Sequence, residues 1–131
     1  MRTAVRYFSK LGNTRQIAEA IAAGAGTEAV SITDAPKLTE HVDILFLGGA
    51  PYANIMAPEL RGYAEKLEAG QVDKVVLFTT SNWSHRTVYA LRKLLKEKGI
   101  PVEDEHFFAH MLAIKSKLDA AGSFGAKYAG K

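Results

Sequence analysis

Thr3-Ala4-Val5-Arg6-Tyr7-Phe8, followed at once by Ser9-Lys10-Leu11-Gly12-Asn13-Thr14, decides the fold. The first six residues read as an apolar strand, and the next six as a polar turn around a glycine. Ile17, Ala18, Ile21 and Ala22 then recur at the three- and four-residue spacing of an amphipathic helix. A strand that enters a helix through such a turn leaves backbone N–H groups unpaired at the positive end of the helix dipole, a place that suits a phosphate. Ser9 and Thr14 add hydroxyls there, Asn13 an amide and Gly12 a permissive backbone. Asn13 or Thr14 would also serve as the cap of an ordinary helix, so the turn has to be weighed with the rest of the chain.

Working outward, the same alternation repeats. Strands are predicted at residues 3–8, 28–32, 44–48, 74–79 and 102–107. Ile44-Leu45-Phe46-Leu47 and Val75-Val76-Leu77-Phe78 are unbroken apolar runs, as central strands covered on both faces require. Helical stripes follow at Leu60, Tyr63, Ala64 and Leu67 after Pro58, and at Val88, Leu91 and Leu95 before Gly99. Residues 36–42 leave room for a short helix or turn, Gly24-Ala25-Gly26 reads as a helix C-cap, and residues 118–128 as a last helix despite Gly122 and Gly125. The expectation is one α/β domain over 1–131, doubly wound, with a five-stranded, mainly parallel sheet and helices on both faces. Right-handed crossovers then bring the strand-to-helix turns to one edge, outside the carboxyl ends of the strands, where ligands bind in open α/β sheets. Residues 9–14, 49–57 and 79–86 become neighbours.

Composition narrows the chemistry. With 131 residues and no cysteine, the chain needs no disulfides to fold and has no thiolate for a metal site, an iron–sulfur cluster or nucleophilic catalysis. A formal charge of +3 is too small to mark a nucleic-acid surface. No apolar run is long enough to span a membrane, and a cytoplasmic protein is expected. The acids that a receiver domain needs after its first strand are replaced by Ser9 and Lys10, and the G-x-G-x-x-G fingerprint is absent there. His41, His85, His106 and His110 do not form a metal-binding pattern.

The second loop carries Gly49, Ala50, Pro51, Tyr52, Ala53 and Asn54, small residues around one aromatic. The third carries Thr80, Ser81, Asn82, the only tryptophan, Trp83, and His85. A phosphate cradle beside two loops with an aromatic each describes a site for a planar ring on a phosphorylated tail.

On these residues the chain resembles the flavodoxin family over nearly its whole length. The family places a Ser/Thr-x-Thr-Gly-x-Thr loop around the FMN phosphate, and Ser9-Lys10-Leu11-Gly12-Asn13-Thr14 is the matching run. The resemblance implies a strand order of 2-1-3-4-5, FMN as cofactor and an electron carrier with a redox partner protein. It implies Tyr52 against the inner face of the ring, Trp83 or His85 as the outer stack, and Asn82 at the pyrimidine edge. Pro51, Ala53, Asn54, Thr80 and Ser81 would complete the contacts. Leu11 replaces a hydroxyl, with Lys10 or backbone N–H groups as substitutes, and Ala53-Asn54 stands where many members have Gly-Asp. Two other roles fit the same residues: a flavin-free interaction module, or a small FMN-dependent NAD(P)H:quinone reductase.

Overall fold

In the computed structural model, which describes residues 1–131, Thr3–Phe8 forms strand β1 and Asn13–Ala25 helix α1. Ala29–Ser31 (β2), Val42–Gly49 (β3), Val72–Ser81 (β6) and Phe107–His110 (β7) complete one sheet, and Pro51–Tyr52 (β4) pairs with Ile55–Met56 (β5) as a small hairpin. Helices α2 (Pro58–Lys66), α3 (Arg86–Glu97) and α4 (Leu118–Tyr128) follow their strands. The five-stranded sheet has the order β2-β1-β3-β6-β7 and every pair in it is parallel, which is the expected 2-1-3-4-5 arrangement.

The period of two along each strand sorts its side chains between two cores. Leu45, Leu47, Val75 and Leu77 pack toward Leu60, Tyr63, Leu91 and Leu95 of α2 and α3. Ile44, Phe46, Val76 and Phe78 pack toward Ile17, Ile21 and Phe124 of α1 and α4. Burying each of these large side chains contributes about 1.5–3 kcal/mol, which is what holds helices on both faces.

Helix α4 tolerates its glycines because it needs them. A Cβ on Gly24 would stand 1.8 Å from the Gly122 carbonyl oxygen, and one on Gly125 would stand 2.1 Å from that of Ile21. Gly24 thus belongs to the last turn of α1, where it lets the two backbones touch, and Gly26 alone is the cap, at φ 79°.

Two expectations are corrected. Residues 36–42 hold no helix; a turn at 32–34 leads into irregular chain that buries Leu38 on its way to β3. The fifth strand starts at Phe107 and not at Val102, whose only ladder contact is a single bridge to Val75. Glu103 still donates its N–H to the Val75 carbonyl at 2.8 Å. The charged Asp104-Glu105 then leaves the sheet, and pairing resumes where Phe107 meets Phe78. No helix is long and apolar enough to cross a membrane.

Candidate functional site

The parallel strands β1, β3, β6 and β7 end at one edge, and the turns that leave them border a cleft of about 640 Å³. Ser9, Leu11, Asn13, Thr14, Pro51, Tyr52, Asn54, Thr80, Ser81, Asn82, Trp83 and His85 all line it. Lys10, Gly12 and Ala53 do not; they shape the turns behind it.

The first turn is built from its backbone. Gly12 is the residue before α1 and sits at φ 92°, a conformation open to glycine, and it donates its N–H to Ser9 Oγ at 3.0 Å. Asn13 and Thr14 are the first helical residues and not caps, and no side chain caps the helix. The first intrahelical bond runs from Gln16 N–H to the Gly12 carbonyl, so the N–H groups of Asn13, Thr14 and Arg15 have no helical acceptor. Thr14 is buried, and its hydroxyl meets that of Thr80 at 2.7 Å, tying the first turn to the third.

Tyr52 ties the first turn to the second. Its hydroxyl accepts the Lys10 N–H at 2.9 Å, the Lys10 ammonium lies 4.5 Å from its ring centre, and its edge meets Phe8. Lys10 therefore spends its charge on the tyrosine ring, and the Leu11 side chain stands exposed beside it. Burial pushes the Tyr52 phenol up, the Lys10 N–H pulls it down and the Glu59 carboxylate raises it again, so the group stays neutral. Ala53 (φ 51°) and Asn54 (φ 61°) both adopt left-handed conformations at the tip of the β4–β5 hairpin, as a type I′ turn requires. Ala53 thus takes the conformation in which a glycine would be less strained. Thr79 anchors the base of the same loop by donating its hydroxyl to the Gly49 carbonyl at 2.7 Å.

In the third turn Ser81 donates its hydroxyl to the Ser84 carbonyl at 2.7 Å, and Trp83 is left exposed with one edge against His110, 5.2 Å between ring centres. His85 is held differently. Its ring stacks on Phe108 at 4.3 Å, and its Nδ1 lies 2.8 Å from Nε2 of His106. Burial pushes the His106 imidazole down, and His85 and Arg92 push it the same way while Glu105 opposes. One of the two histidines must be the donor and the other the acceptor of that bond. Between the two rings offered for an outer stack, Trp83 is the exposed one.

Ala50, Ser84, Arg86, Tyr89 and Met111 also line the cleft and were not singled out from the sequence. Arg86 is the only formally charged side chain in the lining. Tyr89 follows Arg86 by three residues on the first turn of α3, a spacing that a helix start at Arg86 makes legible. Met111 follows directly on β7 and became invisible once that strand was placed too early.

No protein-family profile and no curated protein matches the chain. Solved structures do. Oxidised flavodoxin 1 from Bacillus cereus superposes with a TM-score of 0.80 at 19% identity, covering 98% of this chain and 97% of that one. A flavodoxin from the domain Archaea gives 0.76 at 18% identity over 100% of both chains. Rubredoxin oxygen:oxidoreductase from Desulfovibrio gigas matches at 0.70 and 15% identity, with 98% of this chain covering 36% of the larger one.

Proposed function

We propose that this chain, whose fold is that of the flavodoxins, binds FMN in the cleft and works as an electron carrier. The observation that carries this reading is the meeting, in one cleft, of the uncapped N-terminus of α1 with the aromatic residues of two other turns. The residues fit the group. A cleft of about 640 Å³ falls in the usual range for such ligands, and Arg86 supplies a counter-charge for a phosphorylated one.

The N–H groups of Asn13, Thr14 and Arg15, with the hydroxyls of Ser9 and Thr14, would hold the phosphate. Tyr52 and Trp83 would flank the ring, orient it and exclude water from its faces, and the Asn82 amide would bond its pyrimidine edge. FMN, when bound, supplies one- and two-electron transfer that no side chain of this chain offers. The Thr14–Thr80 and Lys10–Tyr52 bonds would keep the three turns in register before binding, which lowers the ordering cost of the ligand.

Short turns favour the carrier role over an enzyme with its own substrate. Four residues join β1 to α1 and four join β6 to α3, so the cleft stays open toward a partner. The purified protein, incubated with FMN and gel-filtered, is expected to keep a flavin absorption band. It is also expected not to turn over NADH or NADPH with a quinone by itself. A colourless protein refutes the binding, and steady turnover refutes the carrier role.

A further inference from the structure

Exposed apolar side chains are not spread over this molecule. Of its six large exposed ones, five, namely Leu11, Ile55, Trp83, Tyr89 and Leu112, sit on the cleft edge at 60–86% exposure, and the sixth is Met1. Leu11, Trp83 and Tyr89 line the cleft, whereas Ile55 and Leu112 stand outside it, where a ligand in the cleft leaves them uncovered. Large exposed apolar side chains gathered at one edge mark an interaction surface.

Charge is divided in the same way. The four turns around the cleft, residues 9–15, 49–57, 80–86 and 110–117, contain Lys10, Arg15, Arg86, Lys115 and Lys117 and no carboxylate. Arg86, Lys115 and Lys117 are exposed and take part in none of the ion pairs. At the opposite edge Glu40, Asp43, Glu68 and Asp73 surround the starts of β3 and β6, with Glu40 paired to Arg2 and Asp73 to His41. The cleft edge therefore presents unpaired cations, Arg86, Lys115 and Lys117, to whatever approaches it.

We infer that this edge is the docking surface for an acidic electron-transfer protein, with Leu11, Ile55, Trp83 and Leu112 as its apolar centre and Lys115 and Lys117 on its cationic rim. The inference rests on the reading of the cleft as a redox site, because an electron passes only to a partner that covers that edge. Protein is favoured over an anionic membrane by the polar groups that interrupt the patch. Asn13, Asn54, Asn82 and Ser84 line the cleft among the apolar residues, and no helix lies along the edge with a continuous apolar face to insert.

The test measures binding, by calorimetry at 20 and 200 mM NaCl, of the FMN-treated protein to an acidic two-iron ferredoxin and to a basic c-type cytochrome. The ferredoxin is expected to bind at low salt and to lose about tenfold in affinity at high salt, as screened complementary charges do, and the cytochrome not to bind. Reversing two of the five charges, Lys115→Glu with Lys117→Glu, is expected to weaken the ferredoxin complex about tenfold at low salt. Neither FMN affinity nor thermal midpoint should change in that variant. Leu112→Ser should weaken binding at both salt concentrations. Equal binding of both proteins, or a double reversal without effect, overturns the inference. So does sedimentation with phosphatidylserine vesicles when the ferredoxin stays unbound. Failure of FMN to bind while the ferredoxin still binds in a salt-dependent way removes the redox reading and leaves the docking surface standing.

Discussion

Replacing Trp83 by alanine should weaken flavin binding and leave the fold untouched. The side chain is 83% exposed, with one edge of its ring against His110, so its removal should move stability by no more than about 0.5 kcal/mol. A flavin lying on one face would cover roughly half of a tryptophan surface of about 200 Å². At about 25 cal/mol per Å², 100 Å² is worth about 2.5 kcal/mol. Ordering the side chain costs about 1 kcal/mol of that, which leaves about 1.5 kcal/mol, or roughly tenfold in affinity. Because the lost contact is with the ring and not with the phosphate, FMN and riboflavin should weaken by the same factor. Quenching of flavin fluorescence on titration with wild-type and Trp83→Ala protein measures both, and urea unfolding checks the stability. Unchanged affinity for both flavins would refute the placement of Trp83 on the ring, and a loss confined to FMN would move Trp83 to the phosphate end.

Thr14→Val keeps the shape and removes the hydroxyl that meets Thr80 at 2.7 Å. FMN affinity should fall about tenfold or more while riboflavin affinity holds, since a hydrogen bond to a charged group is worth about 1.5–3 kcal/mol. Stability should fall by about 1–3 kcal/mol because the buried Thr80 hydroxyl is left unpaired. Equal losses for the two flavins would contradict a phosphate at Thr14. Gly125→Ala places a Cβ 2.1 Å from the Ile21 carbonyl oxygen and should lower stability by about 1–3 kcal/mol in urea unfolding, with flavin affinity unchanged. His106 resists protonation in the folded protein. Its contribution to stability is therefore complete above the ordinary histidine value of about 6.5 and is lost as pH falls from there toward the lowered one. Urea midpoints between pH 7.5 and 5.5 should fall less steeply in His106→Gln than in the wild type, and an identical slope would remove the assignment.

The alternation of strands and helices and the location of the cleft were legible because they follow from strong local patterns, whereas the strand order came from the resemblance to the flavodoxins. Thr3–Phe8 and Leu118–Tyr128 start and end in the structure where the apolar pattern puts them. The runs at Leu45 and Val76 are apolar on both faces because both faces are covered. What stayed hidden depends on contacts far apart in the chain. Val102 looks like a strand residue, yet pairing in register belongs to Phe107, and only the partner Phe78 reveals it. Gly24 and Gly125 look like helix breakers until their carbonyl neighbours on the opposing helix are known. His85 is offered by the sequence as an outer stacking ring, but Phe108 and His106, which hold it, lie more than twenty residues away. Arg86 and Met111 entered the cleft unannounced for the same reason.

The most direct test of the FMN site is a titration of the purified protein with FMN, followed at once in flavin emission and in the emission of Trp83, the only tryptophan of the chain. Both signals should be quenched together and saturate at one FMN per chain, because one ligand would lie against that ring. Flavin emission that stays undiminished while tryptophan emission is constant would contradict the account.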